Sequence, residues 1–169
     1  MRILRLRFVT LLGAGLLAGA VSLDWLLNVL VDDAAGYISF KQQEIPVLTA
    51  TLVPLGVGTT GLVLLQAYLE RRRPQLWLTI GGAVLLLAMG LLTRFALFPR
   101  NDQIMTWSAQ APPADWQVVR EQWNRAHTLR TVAGLGSFTL LALRALVPGQ
   151  QRVRVKGDAA APGGTAPTG

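Results

Sequence analysis

Four apolar runs decide what this chain can fold into, because each comes close to the roughly 20 residues that an α-helix needs to cross a bilayer's hydrocarbon core. They extend from about Phe8 to Leu30, Ile45 to Tyr68, Leu76 to Phe98 and Ala126 to Leu146. Alternation with period two is absent, and every run is too long for one strand of a membrane barrel. The remaining residues cannot wet such a surface: of 169 residues 51% are hydrophobic and 15% charged, with a mean hydropathy of +0.41. The excess must face lipid. The expected fold is all-α, an integral membrane four-helix bundle whose fourth helix extends into the outer loop. Residues 1–147 form this four-span domain. Residues 148–169, rich in Gly, Ala, Pro and Thr, cannot bury a core and are expected as a disordered cytoplasmic tail.

The net charge of +7 raises the question of nucleic acid. That partner is excluded by position, since the basic residues lie between apolar runs and not on one basic face. They set direction instead. One side of the membrane collects Arg2, Arg5, Arg7, Arg71, Arg72, Arg73, Arg144, Arg152, Arg154 and Lys156 against Glu70 and Asp158, a net of +8. The other collects Lys41, Arg94, Arg100, Arg120, Arg125 and Arg130 against Asp24, Asp32, Asp33, Glu44, Asp102, Asp115 and Glu121, a net of −1. Both ends are therefore expected inside. A cleaved signal peptide is the alternative for the first run, with Ala18-Gly19-Ala20 as the cleavage site; the run continues through Trp25 to Leu30, which favours a full span. The absence of cysteine removes disulfides, thiolate catalysis and iron–sulfur clusters.

Glycines recur inside the spans, and Gly15 with Gly19 makes a small-xxx-small pair that lets helices approach closely. Such faces serve packing within the bundle or, alternatively, a homo-oligomer seam. Polar residues share one depth. Asp24 and Asn28 lie near the outer end of the first span, Glu44 precedes the second, and Arg94 lies one turn from the outer end of the third. Pro112-Pro113 breaks the chain and Asp115 can cap a new helix, which then runs unbroken into the fourth span. On that helix Trp116, Arg120, Trp123, His127, Arg130 and Gly134 fall within an arc of about 80°, opposite Leu129 and Val132. An aromatic and cationic stripe of this kind suits the wall of an outward-opening pocket, with Asp24 or Asn28 meeting Arg130 or His127 to offset the cost of charge. The plainer readings are an interfacial belt for Trp107, Trp116 and Trp123, snorkelling for Arg120 and Arg125, and a structural ion pair for Arg94.

The stretch Asn101-Asp102-Gln103-Ile104, Trp107, Trp116, Arg120, Trp123, His127 and Arg130-Thr131 resembles the signature of the anthrone oxygenase-like family of small four-helix membrane proteins. Asp102 stands where the family commonly has Pro, and Met105 near its second Asn. The resemblance implies a cofactor-independent oxygenase of a small phenolic or polyketide substrate, in a bacterial inner (cytoplasmic) membrane. A base removes a proton from an acidic carbon, the anion reacts with oxygen, and cations hold the developing charge. Under this implication His127 is the base, Arg120 and Arg130 are the anion stabilisers, and Trp116 and Trp123 are stacking walls. Asn101 donates a hydrogen bond, and Trp107, Asp24 and Asn28 complete the substrate site. No cofactor is expected. One histidine without cysteine cannot build a common zinc or copper site, and Asn124 stands where a di-iron motif needs Glu. The competing class is a non-catalytic membrane module that binds a lipid or lipophilic molecule or assists a partner protein.

Overall fold

The computed structural model describes residues 2–147. The expected disordered tail lies outside these residues, and with it Arg152, Arg154, Lys156 and Asp158 of the charge count. Helix α1 spans Arg2–Val29, α2 Ala34–Leu69, α3 Leu76–Leu92, α4 Phe98–Met105 and α5 Trp116–Leu146. A π-helical turn, Thr93–Leu97, joins α3 to α4, so that Leu76–Met105 forms one continuous rod. The four rods are long and apolar enough to cross a membrane, and the chain is an integral membrane protein with an all-α four-helix bundle. The fourth rod continues well beyond its apolar run as a single helix, in the way the unbroken stretch after Asp115 requires.

Local chemistry explains the boundaries. Asp33 caps α2, its Oδ1 accepting from the Gly36 N–H at 2.7 Å, so α2 begins at Ala34, ahead of the hydropathy boundary at Ile45. At 1.5 Å per residue, a helix of 36 residues is about 54 Å long and must project past the hydrocarbon core. Pro46 and Pro54 sit inside it, as membrane helices tolerate. Asp115 occupies the N-cap position of α5, but its side chain makes no capping hydrogen bond, contrary to the sequence expectation; the break comes from the prolines. In the π-turn the Phe98 N–H bonds to the Thr93 carbonyl five residues back. Pro99 follows, and the wider turn accommodates a ring that a regular ladder would reject.

Around the bundle, α1 and α3 both pack on α5, and α2 closes the fourth side against α1 and α3. The central core joins Leu17 and Val21 of α1 to Val63 of α2, Leu86 and Met89 of α3 and Leu141 of α5. Small residues set the α3–α5 seam: a Cβ on Gly82 would lie 3.0 Å from Leu141, and one on Gly136 would lie 3.0 Å from Leu85. Ser137 completes the seam by donating to the Gly82 carbonyl at 2.9 Å. On α1 the close approach is made by Gly13, where a Cβ would collide with Thr59 of α2, and by Gly15 against Phe138 of α5. Gly19 faces open space, so the Gly15–Gly19 pair does not act as one packing face. The outward side chains, among them Phe8, Leu12, Val57, Leu91 and Val132, are exposed and apolar, as a lipid-facing surface must be.

At the end of the bundle near the first turn of α1, three residues of the charge count prove to be buried. Glu70 accepts from Arg7 Nε at 2.6 Å through one oxygen and from Arg144 Nε at 2.9 Å through the other, with Thr79 donating at 3.1 Å. Glu70 and Arg144 are fully buried. One carboxylate thus ties α1, α2, α3 and α5 together. Burial pushes the Glu70 carboxyl up, but the hydrogen bonds from Arg7 and Arg144 outweigh it and hold the group below its ordinary value of 4.5.

Glu70→Ala is expected to cost about 3–5 kcal/mol in reversible unfolding from mixed micelles, because two guanidinium groups lose their counter-ion. The wild-type contribution should be complete above the ordinary carboxylate value and fade as pH falls through the lowered folded value. A second comparison tests the seam: Gly13→Ala is expected to destabilise by about 1–3 kcal/mol through overpacking, while Gly19→Ala leaves the midpoint unchanged or raises it.

Candidate functional site

The polar residues at the other end converge on Asp24, near the close of α1. Its Oδ1 accepts from Asn28 Nδ2 at 2.6 Å and from Lys41 Nζ at 3.3 Å; its Oδ2 accepts from Arg130 at 3.3 Å and lies 3.6 Å from His127 Nε2. Lys41 is fully buried and also donates to Glu44 Oε2 at 2.6 Å. Its ammonium stands 3.7 Å from the centre of the Trp123 ring, a cation–π contact sheltered from water. Three helices supply these charges, and Asp24 and Glu44 against Lys41 and Arg130 sum to zero. That is the condition for holding them in an apolar bundle.

His127 and Trp123 stack with ring centres 4.6 Å apart. His127 Nδ1 lies 2.6 Å from an Arg130 nitrogen, which can only donate, so the ring proton belongs on Nε2, 3.1 Å from the Val21 carbonyl. Both ring nitrogens are therefore engaged, and the side chain is fully buried. Trp123 Nε1 donates to Asn101 Oδ1 at 2.8 Å, which fixes that amide with its NH2 group free to donate elsewhere. Arg130 Nε and Asn28 Oδ1 are buried without a protein partner.

A cleft of about 720 Å³ lies between α2 and α3 and ends on this cluster. Its long walls are apolar, including Leu52, Gly56 and Leu64 of α2 and Leu87, Gly90 and Leu91 of α3. Its head is formed by Asp24, Glu44, Asn101, Trp123 and Arg130. Of the residues singled out from sequence, Asp24, Asn101, Trp123 and Arg130 line the cleft, and His127 and Asn28 stand behind them. Arg120, Trp116 and Trp107 are elsewhere. Arg120 donates to the Asn28 and Val31 carbonyls, 3.3 and 2.5 Å away, and so terminates α1 where its carbonyls would otherwise lack partners. Trp116 leans on Tyr37, ring centres 6.0 Å apart, beside Arg120. Trp107 joins the small core above the cluster, its carbonyl held by Gln42 at 2.8 Å. Arg94 pairs with neither Asp24 nor Glu44; it lines the cleft.

Lys41 and Tyr37 are the participants that sequence reading passes over; Glu44 it places at the right depth but gives no role in the site. The usable signal was the Asp33 cap: a helix starting there puts Lys41 and Glu44 one turn apart on α2 and facing α1. Among the described residues, no three His, Asp or Glu side chains form a group suited to a metal ion.

Fold and site together define a class: four-helix membrane proteins with a lipid-side cleft whose inner end is a neutralised cluster of buried charges. Residues 47–140, more than half of the chain, match the model of the anthrone oxygenase family, and the chain belongs to that family. Asn101, Trp123, His127 and Arg130 fall within the matched region, and Asp24, Lys41 and Glu44 precede it. No curated protein and no solved structure matches the chain.

Removing the Arg120 guanidinium with Arg120→Gln is expected to destabilise by about 1–3 kcal/mol, the cost of leaving buried carbonyls unpaired. Hydrogen exchange should quicken at residues 28–33 and stay unchanged around the cleft; uniform acceleration would contradict this local role.

Proposed function

We propose that the chain is a cofactor-independent oxygenase of a lipophilic phenolic substrate whose acidic carbon binds at the head of the cleft. The observation that carries this reading is the meeting of an apolar cleft with carboxylates, a guanidinium and an amide at its head. The family description points to anthrone-like substrates. A planar phenol would lie between the apolar walls of α2 and α3, with its oxygen toward Arg130 and the Asn101 amide beside the edge of Trp123, whose ring already carries His127 and Lys41. Glu44 is the base in this scheme and not His127: its carboxyl lines the head of the cleft beside Lys41 and Asp24, whereas both His127 nitrogens are engaged. His127 then acts as the brace that orients Arg130.

The steps balance. Glu44 takes one proton from the substrate methylene, and the pair of electrons left behind spreads into an enolate whose oxygen is held by Arg130 and Asn101. Molecular oxygen accepts those electrons and bonds to the carbon, and the peroxide oxygen takes up the proton. Loss of water from the hydroperoxide leaves a carbonyl, so that one CH2 and one O2 become one C=O and one H2O. Removing the head from bulk water favours this course by strengthening each electrostatic contact with the anion.

In membrane terms the reading includes orientation. The end bearing the exposed Arg5, Arg71, Arg72 and Arg73 is the cytoplasmic one, so the Asp24 cluster lies toward the opposite face. Reporter fusions after Arg73 should report cytoplasm and fusions within 106–113 the outside; the reverse would overturn the charge argument.

Glu44→Gln keeps the shape of the side chain and removes the base. Turnover of an anthrone to its quinone, followed by absorbance with one oxygen consumed per product, is expected to fall by about 10²–10⁴-fold without loss of the folded protein. Retained turnover would remove Glu44 as base. A wild-type chain that binds the anthrone and consumes no oxygen would support instead the non-catalytic module, which the long lipid-side opening of the cleft also fits.

A further inference from the structure

We infer that the cleft takes a lipophilic anion directly from the bilayer and that Arg94 recognises its charge. This names the substrate class of the cleft and rests on the preceding reading only for where chemistry would occur. Arg94 lies in the π-turn, a widened helical element common at functional sites, and lines the cleft below Asn101. It is exposed in a wall whose other polar side chains are uncharged threonines, and it makes no hydrogen bond or ion pair to any described residue, its guanidinium standing 5.7 Å from the Phe95 ring centre. The carboxylates that could have answered it are taken: Asp24 by Lys41 and Arg130, and Glu44 by Lys41. With the head of the cleft neutral, Arg94 is the uncompensated charge of the site. A guanidinium in an apolar membrane wall is costly until an anion or water meets it. A carboxylate or phenolate on an otherwise apolar molecule supplies that partner and leaves the rest of the molecule to the cleft.

The route follows from what is closed and what is open. Above the cluster, Tyr37, Ile38, Lys41 and Ile104 are fully buried, and Gln42 ties α2 to the Ile104 and Trp107 carbonyls. That end is sealed. Between α2 and α3 the lining includes the exposed Val57, Leu64 and Leu91, which belong to the lipid-facing surface. Gly61 and Gly90 stand on opposite walls, and a Cβ on either would meet nothing within 4 Å. From Glu44 to Leu64 the α2 wall rises about 30 Å, so the opening runs through most of the hydrocarbon. A molecule dissolved in lipid reaches the head without crossing water.

The test uses purified full-length protein in phosphatidylcholine nanodiscs, titrated with anthracene-9-carboxylate and with its neutral counterpart anthracene-9-methanol, and followed by quenching of tryptophan fluorescence. The carboxylate is expected to bind roughly 10-fold or more tighter than the alcohol, as a charge-assisted hydrogen bond allows. Arg94→Gln should abolish that preference by weakening the carboxylate alone, and Arg94→Lys should retain part of it. Gly90→Phe, whose Cβ would meet nothing within 4 Å and whose ring would extend into the cleft, should remove saturable binding of both probes. Equal wild-type affinities for the two probes, or a preference that survives Arg94→Gln, would overturn the role of Arg94. Binding unaffected by Gly90→Phe would overturn the cleft as the site. Charge-selective binding of these probes, with no oxygen uptake when an anthrone is supplied in a separate assay, would uphold this inference and defeat the oxygenase. Oxygen uptake with the anthrone beside charge-indifferent binding of the probes would do the reverse.

Discussion

Charge removed from water must be answered by charge or by hydrogen bonds, and this bundle is organised around two carboxylates that meet that demand. Glu70 gathers Arg7, Arg144 and Thr79 at one end, and Asp24 gathers Asn28, Lys41, Arg130 and His127 at the other. Apolar packing between helices in lipid has little hydrophobic drive of its own, because lipid tails are as apolar as leucine. Interactions with direction therefore carry much of the specificity. Each knot draws on at least three helices, so neither can form until the rods stand in the right order around the bundle. Between the knots the glycine-lined α3–α5 seam supplies close van der Waals contact.

The same arrangement produces the cleft. Helix α5 fits closely to both α1 and α3, whereas α2 meets α3 over only part of its length. Glycines on α2 and α3 that face no neighbour keep the gap open. The Asp24 cluster holds α2 to α1 above it through Lys41, so the opening narrows onto charged groups and not onto more lipid. A membrane site built this way can concentrate a lipophilic molecule from the bilayer and present it to polar chemistry that bulk hydrocarbon lacks. The π-turn adds one cation to the apolar wall without breaking the rod.

The bilayer makes some of this readable in the sequence. A spanning helix must be long and apolar, so the rods stand out in composition alone. The stripe from Trp116 to Gly134 is visible because α5 is unbroken and its period places those residues on one side. What hydropathy hides are charges neutralised by distant partners. Arg7 and Arg144 read as loop charges, yet they meet on Glu70, 63 and 74 residues away. Lys41 and Glu44 sit before the apolar run and look like loop, since hydropathy marks where a helix turns greasy and not where its cap lies. Arg120 belongs to the arc, but side-chain reach, which periodicity does not encode, sends it to the end of α1. Nor does any local pattern announce the cleft: Gly61 and Gly90 look like Gly13 and Gly82 until the neighbouring helices are in place.

The coupling between Asp24 and Lys41 bears most directly on the claim that the cluster holds the head of the cleft together. A double-mutant cycle with Asp24→Asn, Lys41→Met and the pair, measured by reversible unfolding in mixed micelles, isolates that coupling. The expected result is strong non-additivity of about 1–3 kcal/mol, with the double variant more stable than the sum of single losses requires. Losses that add to within about 0.5 kcal/mol would mean that the two side chains act independently, and would contradict the account.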